Sequence, residues 1–255
     1  MCCQLLKNNF MIQKFVILML ATTSLLPAQN FPAGKSILEK VDQNMSARTR
    51  ISVSRMEISM ARGSRTIEAK SWSEGDKNAF TEYLAPAREK GTKMLKTDRQ
   101  LWIYSPATDR VIQISGHMLR QSVMGSDLSY EDMMNDTPLL EQYSAIVDAA
   151  ETIGGRSCWV VTLTALAPDV SYHQQKMWID QERNVPLKIE MYARGGKLLK
   201  KIELSDVKRV QGRWFPMSML YKDMLKKGEG TRMTFLDLQL DTALPAGIFT
   251  KASLK

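Results

Sequence analysis

The sequence predicts a mainly β protein of the α+β class, with one strongly curved antiparallel sheet of about 10 or 11 strands forming an unclosed barrel. Two observations predict this class. Apolar and polar residues alternate over most of the chain, as in PLKIEMYAR from 186 to 194. Turn signals such as IGGRS near residue 155 and ARGGK near residue 195 separate these runs at the short spacing of hairpins. A sheet with so many strands curls rather than staying flat.

The first 28 residues predict a secretory signal peptide. Lys14 precedes the apolar run FVILMLA, which is shorter than the roughly 20 residues of a membrane-spanning helix. We predict cleavage near Ala28 and a soluble, exported mature protein. Translation starts at Met1 or at Met11, and the sequence leaves both starts open.

The mature chain, residues 29–255, is predicted to form a single domain, because no linker, low-complexity tract or repeat divides it. Cys158 is its only cysteine, so no intramolecular disulfide forms. It lies in the apolar run RSCWVVTL, which favours a buried, inert thiol.

The formal net charge is +8, and it falls to +6 when the predicted signal peptide removes Lys7 and Lys14 and no acid. The basic residues alternate with acids along the strands and form no basic run, which argues against nucleic-acid binding. No residue pattern calls for a cofactor.

The first element of the mature chain is an amphipathic helix, since Ile37, Val41 and Met45 recur at helical spacing. Strands follow, and methionine is frequent on their apolar faces. Flexible thioether side chains suit a cavity for ligands of variable shape, although they also fill ordinary cores. From the strand phase we predict a hydrophobic ligand cavity lined by Trp102, Met177, Met191, Met217, Met219 and Phe235.

The segment from about 115 to 143 breaks the strand rhythm, and we call it the lid segment. Within it, Asp127 or Ser129 is expected to cap a short helix whose first turn holds Glu131 and Asp132. So short a helix is stable only when its apolar side docks on other structure. The residues predicted to contact the sheet or a partner are Gly125, Ser126, Asp127, Leu128, Tyr130, Glu131, Asp132 and Met133.

Two chemical alternatives for this acidic segment fit less well. A calcium loop starting at Asp127 needs Gly at its sixth position and Glu at its twelfth, where the chain has Asp132 and Pro138. A hydrolase would draw on Ser122, His117 and Asp127, but no G-x-S-x-G elbow occurs in the sequence. We therefore predict neither a metal site nor catalytic residues, and we expect His173 to lie in a turn or at a strand edge.

Three segments of the chain carry the pattern of one protein family. The first, 101–133, reads LWIYSPATDRVIQISGHMLRQSVMGSDLSYEDM and carries a W-x-Y-x-P strand before a GSD-x-S-Y-E-D segment. The other two are MWIDQERNVPLKIEMY at 177–192 and LPAGIFTKASL at 244–254. Together these segments resemble the LolA-like outer-membrane lipoprotein-sorting proteins. The resemblance implies an unclosed β-barrel with helices over its mouth, an apolar cavity for acyl chains, and the periplasm of a Gram-negative bacterium.

The resemblance implies a non-enzymatic carrier that moves the acyl chains of lipoproteins or lipids towards the outer membrane. The expected partners are an inner-membrane transporter and an outer-membrane acceptor, and we expect a monomer. Two alternatives stay open, a lipid-sensing module or accessory protein of a resistance-nodulation-division exporter and, at greater distance, a lipid hydrolase. Related carriers control the lid with an arginine on a cavity strand, for which Arg99 and Arg110 are candidates by neighbourhood alone.

Overall fold

Thirteen antiparallel strands form one sheet in the computed structural model, which describes residues 30–60, 63–135, 137–168 and 170–255. The mainly β class is confirmed, and the predicted count of about 10 or 11 strands is too low. The predicted signal peptide lies outside the described residues. The strands are β1 (Thr49–Ser59), β2 (Ser64–Glu74), β3 (Asn78–Ala85), β4 (Lys93–Thr97), β5 (Gln100–Ser105), β6 (Arg110–Ile114), β7 (Tyr143–Ile153), β8 (Arg156–Ala165), β9 (Gln174–Asp180), β10 (Pro186–Tyr192), β11 (Leu198–Val210), β12 (Arg213–Asp223) and β13 (Thr231–Leu240).

The sheet is a meander with one long-range pairing. Its strand order is β6-β5-β4-β3-β2-β1-β13-β12-β11-β10-β9-β8-β7, so β1 pairs with β13 in the middle and β6 and β7 are the free edges. These two edge strands do not pair, and the sheet therefore does not close into a barrel. The lid segment runs from the end of β6 to the start of β7 and joins the two edges.

The three helices and two of the three described 3-10 turns pack on one side of this sheet, which we call the inner face. The helices are α1 (Gly34–Met45), α2 (Tyr130–Met134) and α3 (Leu139–Gln142), and 3-10 turns occupy Gly116–Arg120, Val123–Gly125 and Lys251–Leu254. The last of these turns packs on the opposite, outer face, where Leu254 contacts Phe80, Leu95 and Trp102.

Helix α1 forms where the 3.6-residue spacing predicts it. Its buried side chains Ile37, Leu38 and Val41 pack on the inner face of β7, β8 and β9. Gly34 permits the close approach to β7, because a Cβ at this position would lie 2.5 Å from the carbonyl oxygen of Ala145. The helix thus covers one half of the inner face and leaves the β1–β6 half to the lid segment.

Strand β10 departs from the simple alternation that its sequence suggests. A register irregularity lies between Pro186 and Lys188, where β10 pairs with β9. As a result Leu187 packs with Trp178 on the outer face, whereas Ile189 packs with the inner-face cluster beneath α1. Cys158 belongs to the same outer cluster as Leu187 and is fully buried, as its apolar context predicts, and this burial raises the pKa of its thiol.

Candidate ligand-binding site beneath the lid segment

The lid segment packs its apolar side chains on the inner face of β1 to β6. Val123 and Tyr130 are buried there, and Leu128, Met133 and Met134 pack around them. The sheet contributes side chains from both early and late strands, namely Met56, Ile58, Ile67, Ala69, Tyr83, Met94, Leu101, Ile114 and Met233. The predicted docking of a short helix on apolar sheet surface is therefore present.

An apolar cavity of about 170 Å³ remains between the lid segment and the sheet. From the lid it is lined by Val123, Leu128 and Met133. From the sheet it is lined by residues of β1, β2, β3 and β13, namely Ser54, Met56, Ile67, Ala69, Ser71, Thr81, Tyr83 and Met233. Small side chains among these leave the space that larger residues would fill.

The local structure of the lid follows from its sequence. Ser129 is the N-cap of α2, where its Oγ accepts from the backbone N–H of Asp132 at 3.2 Å and the Asp132 carboxylate accepts from the Ser129 N–H at 2.9 Å. This capping box satisfies donors that the helix end leaves free. Ahead of it, Met124 and Gly125 both have positive φ, at 51° and 79°, and form the tight turn before the helix.

Asp132 also fastens the lid to the far half of the sheet. Its carboxylate accepts a hydrogen bond from the Tyr172 hydroxyl at 2.6 Å and pairs with the ammonium group of Lys200 on β11. Burial alone would raise the pKa of Asp132, but the hydrogen bonds from Lys200, Ser129 and Tyr172 outweigh it and hold this pKa below its ordinary value. The Asp132 carboxylate therefore stays charged when the lid is closed.

The two tyrosines near this carboxylate respond in the opposite sense. Burial and the Asp132 charge raise the pKa of Tyr172, and the same two causes raise the pKa of Tyr221 to about 12. Both hydroxyls therefore stay protonated, and Tyr172 remains a donor to the lid.

A second polar contact joins the lid to the β12–β13 hairpin. The buried Asp127 carboxylate accepts from the Thr231 hydroxyl at 2.7 Å and from the backbone N–H of Asp223 at 2.9 Å. Lys226, in the same hairpin, donates to the Ser126 carbonyl at 2.5 Å and to the Ser122 hydroxyl. Together these contacts hold the first half of the lid against the sheet.

Lid-contacting cations also lie on strands close to the cavity, and the sequence did not single them out. Arg65, on β2, donates to the carbonyl of Met124 at 3.4 Å, and Lys96, on β4, donates to the carbonyl of Met133 at 3.0 Å. Arg99 lies exposed in the turn after β4, and Arg110 is exposed at the start of edge strand β6. Arg65 thus hydrogen-bonds to the lid, whereas Arg99 lines a surface cleft together with lid residues 134, 135, 137 and 138.

The predicted cavity-lining residues are distributed differently from the expectation. The strand register puts Met177, Met191, Met217, Met219 and Phe235 on the inner face. None of these five lines the 170 Å³ cavity, which lies nearer β1 to β3. Trp102 needs a correction, because it pairs with Leu95 and packs under the C-terminal turn on the outer face.

The acidic residues of the lid contact other parts of the protein. Asp127 and Asp132 turn inward, and Glu131 accepts a hydrogen bond from Ser171 at 3.0 Å. Ser126 is fully buried, while Gly125 stays exposed in its turn. These carboxylates therefore hold the lid to the rest of the protein.

Two residues of the disfavoured hydrolase site have other partners. Ser122 accepts from Lys226, and Asp127 is taken up by Thr231 and Asp223, so these two residues do not line up with His117 as a triad. Within the described residues, no group of three or more His, Cys, Asp or Glu side chains is placed to hold a metal ion.

The chain is similar to one protein family and to several solved structures. A protein-family model described as "-like: Uncharacterized protein" matches residues 75–255, which is more than half of the chain. The structure of a LolA superfamily protein from Nitrosomonas europaea is similar, with a TM-score of 0.68 and 26% identity over 88% of this chain and 100% of that chain. The chain belongs to the LolA-like family. No curated protein matches it.

Two further structures share the LolA-like fold of this chain. A domain named for outer membrane lipoprotein sorting, from Vibrio parahaemolyticus, has a TM-score of 0.74 and 25% identity, covering 87% of this chain and 97% of that chain. A DUF1329 family protein from Desulfovibrio piger has a TM-score of 0.78 and 24% identity, covering 87% of this chain and 98% of that chain. No helix in the described part of the LolA-like chain is long and apolar enough to cross a membrane.

Proposed function

We propose that this LolA-like protein is a non-enzymatic carrier in the periplasm of a Gram-negative bacterium, binding the acyl chains of lipoproteins or lipids between the inner face and the lid segment. The observation that carries the proposal is the apolar cavity enclosed by Leu128 and Met133 of the lid and by Met56, Ile67 and Met233 of the sheet. Burial of acyl chains in such a space is favourable by roughly 25 cal/mol per Å².

The size of the cavity implies that the lid segment moves when the ligand binds. Ligand sites usually enclose about 300 to 1,000 Å³. The present cavity of about 170 Å³ is smaller, and Leu128 and Met133 occupy the adjoining space. Displacing these side chains from the sheet would enlarge the site without unfolding any strand.

The way in which the lid is held supports such a movement. Its carboxylates make a few separate polar contacts, through Asp132 to Lys200 and Tyr172 and through Asp127 to Thr231 and the backbone N–H of Asp223. Its helices are short, so little regular structure is lost when these contacts break. The sheet beneath keeps its own ladder of hydrogen bonds.

The test has two parts. The mature protein is purified from its native envelope and bound lipids or lipoproteins are identified by mass spectrometry, and the affinity for a fluorescent fatty acid is measured. Leu128→Asp combined with Met133→Asp should lower this affinity at least tenfold, because each side chain loses about 1.5 kcal/mol or more of apolar burial. Met60→Asp with Leu236→Asp is the matched control, since both side chains are exposed.

An empty protein that takes up no fatty acid would contradict the proposal, as would equal affinities of the lid variant and the control. The hydrolase alternative has a separate test, because Ser122→Ala would abolish lipid turnover if Ser122 were a nucleophile. The expected transporter, the acceptor and the monomeric state stay predictions.

A further inference from the structure

We infer that the ligand carries an anionic head group, a phosphate or a carboxylate next to its acyl chains, and that Lys200 and Lys226 bind this group when the lid segment opens. The inference rests on the proposed function and names the class of lipid. Its basis is the distribution of charge between the lid and the sheet.

The charges that meet at this site are divided unevenly. The lid supplies the carboxylates of Asp127, Glu131 and Asp132 and one guanidinium group, that of Arg120, whereas the sheet supplies the ammonium groups of Lys200 on β11 and Lys226 after β12. In the closed state residues of the lid provide partners for both lysines. Lys200 pairs with Asp132, and Lys226 donates to the Ser126 carbonyl and the Ser122 hydroxyl.

Opening of the lid removes all of these partners together. The side chain of Lys200 is only 16% exposed, and on the inner face it lies beside Met191 of β10. Acyl chains in the opened site would displace the water that reaches this ammonium group. A buried cation is strongly disfavoured unless it is paired, and with the lid open the two lysines share the single carboxylate of Asp223, which lies opposite Lys200 in the β11–β12 ladder. A neutral lipid would therefore leave one positive charge uncompensated. An anionic head group takes the place of the Asp132 carboxylate.

A cleft suitable for this head group lies at the edge of the lid. It has a volume of about 580 Å³ and is lined by Arg120, Tyr172, Lys200 and Lys226 among others. Leu128 lines both this cleft and the apolar cavity, so the two spaces are separated by a lid side chain. A ligand with its chains in the cavity would therefore place its polar end near the lysines.

The acidic residues around the cleft do not cancel this preference. Asp127 and Glu131 belong to the lid and leave with it. Asp223 remains, opposite Lys200 in the β11–β12 ladder, and its carboxylate also accepts the backbone N–H of Leu225 at 2.9 Å. On the sheet side of the cleft the two lysines thus face one carboxylate, and the balance is positive.

The experiment compares two fluorescent lipids with identical acyl chains, phosphatidylglycerol and diacylglycerol, transferred from phosphatidylcholine vesicles to the mature protein. We expect at least tenfold tighter binding of phosphatidylglycerol, the effect of one charge-assisted contact. Lys200→Gln should remove most of this preference. Lys201→Gln is the matched control, because Lys201 is the next residue, on the other face, and pairs with Glu203. Circular dichroism verifies the fold of each variant.

Asp132→Asn separates head-group binding from lid opening. This substitution and Lys200→Gln break the same ion pair and loosen the lid alike, but only Lys200→Gln removes the cation. We expect Asp132→Asn to keep or increase the preference for phosphatidylglycerol. Loss of the preference in both variants would overturn the inference, because it would then reflect the closed lid.

Three other outcomes are also decisive. Equal binding of both lipids by the native protein overturns the inference and leaves the carrier function standing. Failure to bind either lipid overturns the proposed function itself. Inorganic phosphate that competes at the same concentration as the lipid would show an anion site independent of the acyl chains, and the inference would be wrong.

Discussion

The contact between Asp132 and Lys200 gives the sharpest test of how the lid is held. Asp132→Asn removes the charge and leaves Lys200 without its ion-pair partner, while the side chains involved are only 23% and 16% exposed. Charge-assisted hydrogen bonds of partly buried groups contribute about 1.5 to 3 kcal/mol, so the free energy of lid opening should fall by about that amount. That corresponds to a roughly 10- to 150-fold increase in the population of the open lid.

Amide hydrogen exchange measures this population directly. The reporters are the N–H groups of Val123 and Tyr130, which donate to the Leu128 and Gln121 carbonyls within the lid. They should exchange faster by the factor above, while amides of the central strands keep their rates. Asp206→Asn is the control, because Asp206 pairs with Lys208 at an exposed site.

Two results would refute this reasoning. If Val123 and Tyr130 exchange within threefold of their native rates, Asp132 does not fasten the lid. If amides throughout the sheet accelerate equally, the contact belongs to the global stability of the fold and the lid does not open as a local unit.

Three further predictions concern pH, the hairpin and the outer face. The pKa of Asp132 lies below its ordinary value of 3.8 when the lid is closed. The contribution of Asp132 to lid closure is therefore complete above about pH 5 and is lost only as the pH falls through the lowered pKa. Lid amide exchange rates, corrected for the intrinsic pH dependence of exchange, should then be constant between about pH 5 and 8. Gly230→Ala should lower the free energy of unfolding in urea by more than about 2 kcal/mol, since a Cβ at this position would lie 2.4 Å from the Tyr221 carbonyl oxygen. The loss should exceed that of Gly228→Ala, because Gly228 has the same φ of 104° but a Cβ there would have its nearest contact at 3.4 Å. Equal losses would contradict the steric reasoning. Leu254→Asp should lower the free energy of unfolding by about 2 to 4 kcal/mol. The affinity for the fatty acid should not change, because Leu254 packs on the outer face. A loss of affinity alongside the loss of stability would contradict this assignment.

Local patterns predicted the elements of this fold better than the faces of its strands. Helix α1 and the Ser129 cap depend on neighbours in sequence, and both form where the pattern predicts them. In LWIYS, however, Leu101 and Ile103 face the lid whereas Trp102 and Tyr104 face the C-terminal turn. Both faces of this strand are apolar and covered, so alternation alone does not tell which one is inner.

The polar contacts that hold the lid to the sheet could not be predicted from the sequence, for a different reason. Asp132 pairs with Lys200 and Asp127 accepts from Thr231. The members of each pair are far apart in sequence, and only the folded sheet brings them together. A carboxylate in the first turn of a helix fits a solvated cap equally well. Its inward orientation becomes visible only when the opposing strand is in place.

The pairing of β1 with β13 has a consequence for how the molecule folds. Every other pair in the sheet joins neighbours along the chain, but this one brings Arg50 to Leu240. The two hairpin arrays can therefore form early and separately, while the central pair must close the longest loop and is expected to form last. A chain ending before Thr231 would lack the strand that unites the arrays. Limited proteolysis should cut such a chain in the lid segment and leave both hairpin arrays protected, and cleavage throughout the arrays would contradict this order of folding.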